Sequence, residues 1–298
     1  TAYSPKDGVT FAIAIRSLQL MRAFPLTLLI TLLLCSFLKI HATDSTCSEN
    51  DETIASEYLQ NHTSMRVPFR IHGWRWHTMA VLRELQILQN VLKSPLGDSS
   101  QHEDIVAAIQ HTIGFNMKGL HRVETTLFYP WLTKTFDTIP DSTVRMAFQR
   151  ILLSVKQNQQ SLIQHGSHVL DVLLSDIPQT DARERVVNYI VPMISTLTET
   201  KRIQTEFLVP AVTVLVSESE QSSFNFRVLS SMGLWDSRIY LVAMYEAIKE
   251  SSPEEQVLFE REIPSTPRYF IPRWKRLLYD PSTRGILSTS STCSSNNQ

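Results

Sequence analysis

The stretch GLHRVETTLFYPWL, Gly119 to Leu132, sets a histidine and a glutamate among apolar residues and runs into a proline. Read as a helix, it points His121 and Glu124 the same way as Met117, Leu120 and Phe128, because residues three and four apart share a face. Burying an imidazole and a carboxyl without partners costs stability. The pair therefore either binds something or is satisfied by groups in the core. His77, His165 and His168 raise the same question, since they fall on or beside apolar stripes of their own. Trp74, Trp76 and Trp131 read as packing residues, and Arg202 with Glu206 reads as an exposed ion pair.

Four long amphipathic patterns must position these groups. From Ile71 to Lys93, Trp74, Val81, Leu85, Leu88 and Leu92 repeat at three and four, with His77 on the stripe. After a Gly/Asp/Ser turn, Asp104 to Leu132 carries Val106, Ile109, Ile113, Met117 and Leu120 on one face. The break DTIPDST is followed by Ser142 to Leu174, whose stripe includes Phe148, Ile151, Val155 and His165, with His168 beside it. A fourth pattern runs from Arg183 to Val216. Short connections between four such helices predict an all-α fold, an up-and-down four-helix bundle over residues 67–218. Asn225 to Lys249 reads as one additional helix. The following EIPSTPRYFIPRWKRLLYDP has too many prolines for a helix but enough aromatics to pack down, so 219–287 is expected to be a C-terminal helix and packed tail. Residues 288–298 read as disordered.

The 298 residues carry 43% hydrophobic content and only 8 glycines, which suits a compact helical protein. A net charge of -1, from 28 basic and 29 acidic residues, offers no basic block for nucleic acid. From Met21, a short charged start, an apolar run and Ala42 predict a signal peptide over 21–42, with 1–20 as leader or upstream sequence. An uncleaved anchor over residues 23–40 is the alternative, the apolar run being a little shorter than the roughly 20 residues that span a bilayer. The expected location is thus secreted or lumenal. Asn61, in NHTS, is a candidate glycosylation acceptor. Cys47 and Cys293 either pair as a disulfide or remain free thiols. The polar segment 43–66 reads as a disordered linker. No phosphate loop, nucleophile elbow or paired-cysteine metal spacing is present, so no enzyme class has positive support.

HRVETTLFYPWL resembles the signature of hemerythrin-like (HHE cation-binding) domains: a histidine, glutamate, a bulky apolar pair and a proline. The REL that follows His77 is similar to the way such domains open, and KRIQTEFLVPAV echoes the phrase in the fourth pattern. The resemblance covers roughly 70–215. It implies a non-haem di-iron centre inside the bundle, with His77, His121, Glu124 and either His165 or His168 as carried-over ligands. This chain departs from that pattern. Lys201 stands nine residues before Pro210, where His121 stands nine before Pro130; Thr125 and Thr205 occupy the second-glutamate positions; and Glu206 lies about one residue off the stripe. His165 is 44 residues after His121, which puts it at a different height unless the Pro130 region shortens the return. Lys201 is either a surrogate for the metal, neutralising Glu124, or a side chain that snorkels to solvent.

Two functions follow as expectations. One is a secreted protein binding a metal ion, iron or zinc, through an incomplete set of His77, His121, Glu124 and a helix-three histidine, with oxygen or another small ligand as its cargo. The other is a metal-free helical scaffold that acts as a protein interaction module.

Overall fold

A computed structural model of the chain describes residues 49–94, 99–175 and 179–285. Every regular element among the described residues is helical. The leader, signal segment and 23–40 anchor, Cys47 and Cys293, and the 288–298 tail all fall outside them. No helix among the described residues is long and apolar enough to cross a membrane.

The chain begins with α1 (Glu49–Asn61) and a short 3-10 turn (Thr63–Met65). The sequence reads this region as part of a disordered linker, and the structure corrects that. Ala55 and Leu59, one helical turn apart, bury their side chains against the core, and Asp51 reaches Arg150 at 3.1 Å. Tertiary packing overrides a composition that is polar on average. Asn61 ends α1 and is exposed.

Then come α2 (His72–Lys93) and a nearly continuous run made of α3 (Ser99–Ile109), a π stretch (Gln110–Met117), α4 (Lys118–Val123), a π turn (Glu124–Phe128) and α5 (Tyr129–Asp137). The return helix α6 (Ser142–Leu173) is capped by Asp141, whose carboxylate accepts from the Thr143 and Val144 amides at 2.7 and 3.2 Å. The next run joins α7 (Gln179–Ile203), a π turn (Gln204–Leu208) and α8 (Val209–Leu215). α7 packs along both α2 and α6, while α1 and α5 also lie on α6. The expected stripes are in the core: Trp74, Val81, Leu85, Ile113, Phe148, Ile151 and Leu197 are all buried.

Past this point the sequence expectation needs two corrections. The single helix read over Asn225 to Lys249 is two, α9 (Glu218–Ser231) and α10 (Asp236–Lys249), separated at Gly233, which holds φ at 75° where other residues are strained. The proline-rich tail is helical, as α11 (Pro253–Glu262), α12 (Ser265–Trp274) and a π turn (Lys275–Tyr279). Pro253 and Pro267 sit in first turns, where the missing N–H has no helical acceptor to lose. α10 seats on α2, and α11 and α12 on α10.

Three π turns share one sequence context, although Pro192 and Pro272 sit inside regular helix without one. Glu124–Phe128, Gln204–Leu208 and Lys275–Tyr279 each end two residues before a proline: Pro130, Pro210 and Pro281. A proline donates no N–H, and its ring crowds the carbonyl four residues back. Widening the preceding turn relieves both problems and rotates the residues that open it.

Close approach holds α10 onto the preceding helices. A Cβ at Gly119 would overlap the hydroxyl and ring of Tyr240, which is itself 2% exposed. Gly119→Val is expected to destabilise the protein by about 1–3 kcal/mol through overpacking. Urea unfolding should show a lower midpoint at unchanged slope; an unchanged midpoint would mean that Tyr240 moves aside freely.

Candidate functional site

Glu124 is fully buried. Its place at the start of a π turn aims the carboxyl into the space between the long helices, where four uncharged groups donate to it. Trp74 Nε1 of α2 donates to Oε1 at 2.8 Å and Gln204 Nε2 of the α7–α8 run to the same oxygen at 3.1 Å. Tyr129 OH donates to Oε2 at 3.0 Å, and Gln159 Nε2 of α6 also donates to Oε2. Burial nonetheless dominates and pushes the Glu124 carboxyl up to about 7, against the pull of those four donors. Among the described residues the buried amide oxygen of Gln204 accepts no hydrogen bond, and that of Gln159 faces the His121 side chain without a well-formed one. When Glu124 takes a proton, a flipped glutamine amide supplies the acceptor its O–H needs.

A second buried chain lies beside the first. Asn116 Nδ2 donates to Glu84 Oε2 at 3.0 Å, which leaves Asn116 Oδ1 to accept from His77 Nε2 at 2.7 Å. Tyr279 OH donates to Glu84 Oε1 at 2.9 Å, and His111 Nε2 lies 3.8 Å from the same oxygen. Burial drives the His77 imidazole down to about 4.

The structure thus separates the residues that the resemblance groups as ligands. His77 belongs to the Glu84 chain and not to Glu124. His121 is half-buried, with its pKa lowered by burial, and it meets Gln159, one of the donors to Glu124, instead of the carboxyl itself. His165 and His168 lie farther along α6 against Tyr189, with ring centroids 6.0 and 5.3 Å from it. His165 is six residues past Gln159, about 9 Å at helical rise. Glu206 is exposed and pairs with Arg202 at 2.7 Å. Lys201 is not the residue of its helix that reaches Glu124: among the described residues the donors to that carboxyl are neutral, and Gln204, one turn on, supplies the one from this helix. Among the described residues no group of three or more His, Cys, Asp and Glu side chains comes together to hold a metal. A carboxylate whose lone pairs face N–H and O–H donors does not fit a di-iron centre.

Sequence reasoning missed Gln159, Gln204, Tyr129, Asn116 and Glu84, and took Trp74 for packing alone. One signal was present for Gln204. It stands six residues before Pro210, as Glu124 stands six before Pro130, so the echo that aligns Lys201 with His121 also aligns Gln204 with Glu124.

Next to Trp74 opens a cavity of about 430 Å³, lined mainly by apolar side chains from α2, α4, α9, α10 and α12. Trp74, Trp76, Phe128, Met232, Met244 and Trp274 form its aromatic and sulfur-rich wall. Trp74 stacks on Phe128 at 4.4 Å, so one indole faces the cavity and binds the carboxyl by its N–H. His72, also at the wall, has a buried Nδ1 that meets no hydrogen-bond partner among the described residues and a pKa lowered by burial.

No known family, characterised protein or solved structure matches this chain.

The two buried titrating groups oppose each other. Glu124 keeps its proton longer in the folded than in the unfolded chain, so its contribution is complete below about 4.5 and is lost as pH rises toward about 7. His77 resists protonation when folded, so its contribution is complete above 6.5 and is lost as pH falls toward about 4. Between about 4.5 and 6.5 the slopes cancel. Glu124→Gln is expected to lose stability relative to the unsubstituted protein by up to about 1.4 kcal/mol per pH unit as pH falls through that window, and His77→Leu to show the reverse slope. Denaturant unfolding at several pH values measures both; parallel profiles for Glu124→Gln and the unsubstituted protein would rule out the raised carboxyl pKa. In the same samples, chelator is expected to leave the melting temperature unchanged, since a bound metal would stabilise the folded state. A fall in melting temperature would return the metal reading.

Proposed function

We propose that the protein is an up-and-down four-helix bundle with added C-terminal helices, and that it works as a non-catalytic binding protein for an apolar small molecule. The observation that carries this reading is the cavity beside the bundle centre. Its about 430 Å³ falls in the range of roughly 300–1,000 Å³ typical of small-molecule sites. Its wall is aromatic and sulfur-rich, with a few polar groups at the edge, among them Arg70 and Glu262 paired at 3.4 Å. Aromatic walls bind apolar surface with little loss of side-chain freedom, and methionine adapts to ligand shape.

In this reading the centre of the bundle is structural. Glu124 and its four donors set the register of the helices that form the cavity floor, and the metal-binding alternative lacks a comparable ligand set. The scaffold alternative is retained in part: the fold serves binding, with a small molecule as the partner.

Gly73 supplies the test. It lines the cavity in the first turn of α2, and a Cβ there would meet nothing within 4 Å. Gly73→Leu therefore fills open space and gains helix propensity of up to about 1 kcal/mol. A neutral naphthylamine dye, whose fluorescence rises in apolar surroundings, is expected to bind the unsubstituted protein saturably. The substitution should weaken that binding by about tenfold or more, while thermal melting stays the same or rises. Absence of saturable binding, or equal binding by Gly73→Leu, overturns the proposal.

A further inference from the structure

Beside the cavity lies a surface groove of about 390 Å³, and Arg238 and Trp274 belong to the walls of both. The Arg238 guanidinium lies 4.5 Å from the Trp235 ring centroid and 5.5 Å from that of Trp274. Those rings are its neighbours in place of an acid: it forms no ion pair or side-chain hydrogen bond among the described residues. Other arginines nearby are committed, Arg70 to Glu218 and Glu262, Arg122 to Asp236 at 3.9 Å. Arg273, exposed in the same groove, likewise has no ion-pair partner among the described residues. Among the described residues no acid lines the groove, and Asp280, close in sequence, is held by Lys275 at 3.2 Å.

Apolar surface surrounds the two cations. Leu234 at the cavity mouth is 71% exposed and Trp235 at the groove 66%. An exposed apolar rim with two arginines held ready for an anion suits a ligand that is itself amphipathic. A guanidinium stacked on aromatic rings keeps its N–H edge free, and that edge matches a carboxylate or phosphate with two parallel hydrogen bonds.

We propose that the ligand is an anionic amphiphile, its single alkyl chain lodged in the cavity and its carboxylate or phosphate head held by Arg238 and Arg273. This rests on the apolar-ligand reading above. The same chemistry comes from two sources, a free fatty-acid-like monomer or a lipid at a bilayer surface, and the test separates them.

Dodecanoate and dodecanol share a chain and differ in the charge of the head. Calorimetric titration is expected to show dodecanoate binding at least tenfold more tightly, and Arg238→Leu with Arg273→Leu should bring the ratio of the two affinities to about one. Circular dichroism checks that the double variant, altered at the surface, stays folded. Equal affinities for the two ligands, or a preference that survives in the double variant, overturns the anionic-head proposal and leaves the apolar-ligand reading standing. Binding of neither ligand, with no co-sedimentation on phosphatidylglycerol vesicles, overturns both. Binding of dodecanoate monomer assigns the head to a soluble amphiphile. Co-sedimentation with phosphatidylglycerol but not phosphatidylcholine vesicles, lost in the double variant, assigns it to a bilayer lipid.

Discussion

A carboxyl group without access to water must be satisfied from inside the protein, and much of this structure is arranged around that need. Glu124 takes its hydrogen bonds from Trp74, Tyr129, Gln159 and Gln204, which come from α2, the start of α5, α6 and the run between α7 and α8. Hydrocarbon contacts between helices tolerate some sliding; a hydrogen bond lost by a buried charge does not. The four donors therefore fix the relative height of these helices more sharply than the surrounding leucines and phenylalanines do. Their neutrality matters as well: a cationic partner would have pulled the carboxyl toward ionisation, whereas amide, indole and phenol groups leave it balanced between two states.

The backbone device that delivers Glu124 and Gln204 to one place is the π turn. Each opens its turn, and each turn precedes a proline by the same interval. In a regular helix the missing proline N–H would leave a carbonyl unpaired; in the widened turn the defect is absorbed and an inward-facing side chain results. The third proline-linked turn, Lys275–Tyr279, ends on Tyr279, which closes the Glu84 chain. The geometry of both buried chains thus begins with a local backbone constraint. The longer stretch Gln110–Met117 has no such proline, and its widening coincides with His111 and Asn116 turning toward Glu84.

Both buried chains border the cavity. Trp74 serves the Glu124 centre with its N–H, and His77 serves the Glu84 chain; both are also wall residues. The wall on that side is held by hydrogen bonds to buried groups, which keeps its shape. The opposite side is built from α9, α10 and α12, where Leu229, Leu234 and Trp235 remain exposed. A rigid floor and an apolar, arginine-bearing rim are the physical basis for reading the cavity as a binding site.

Much of the helical order was legible in the sequence. The three-and-four repeats from Trp74 to Leu92 and from Ile109 to Leu120 state which faces are buried, because helical periodicity is a local property of the chain. So is the polarity conflict at His121 and Glu124, although only Glu124 proves fully buried. Less legible were α1, where Ala55 and Leu59 were outvoted by polar neighbours, and the tail, where Pro264 caps α12, Pro267 sits in its first turn and Pro272 is carried inside it. What satisfies Glu124 could not be read along the chain at all. Gln159 and Gln204 lie 35 and 80 residues away, and their nearness depends on how helices cross. By itself the sequence determined the helices, their buried faces and the presence of a buried acid. Only the tertiary structure decided that its partners are neutral donors, that His77 serves another network, and that a cavity opens beside them, because hydrogen-bond partners and voids arise from helices packed together and not from any one of them.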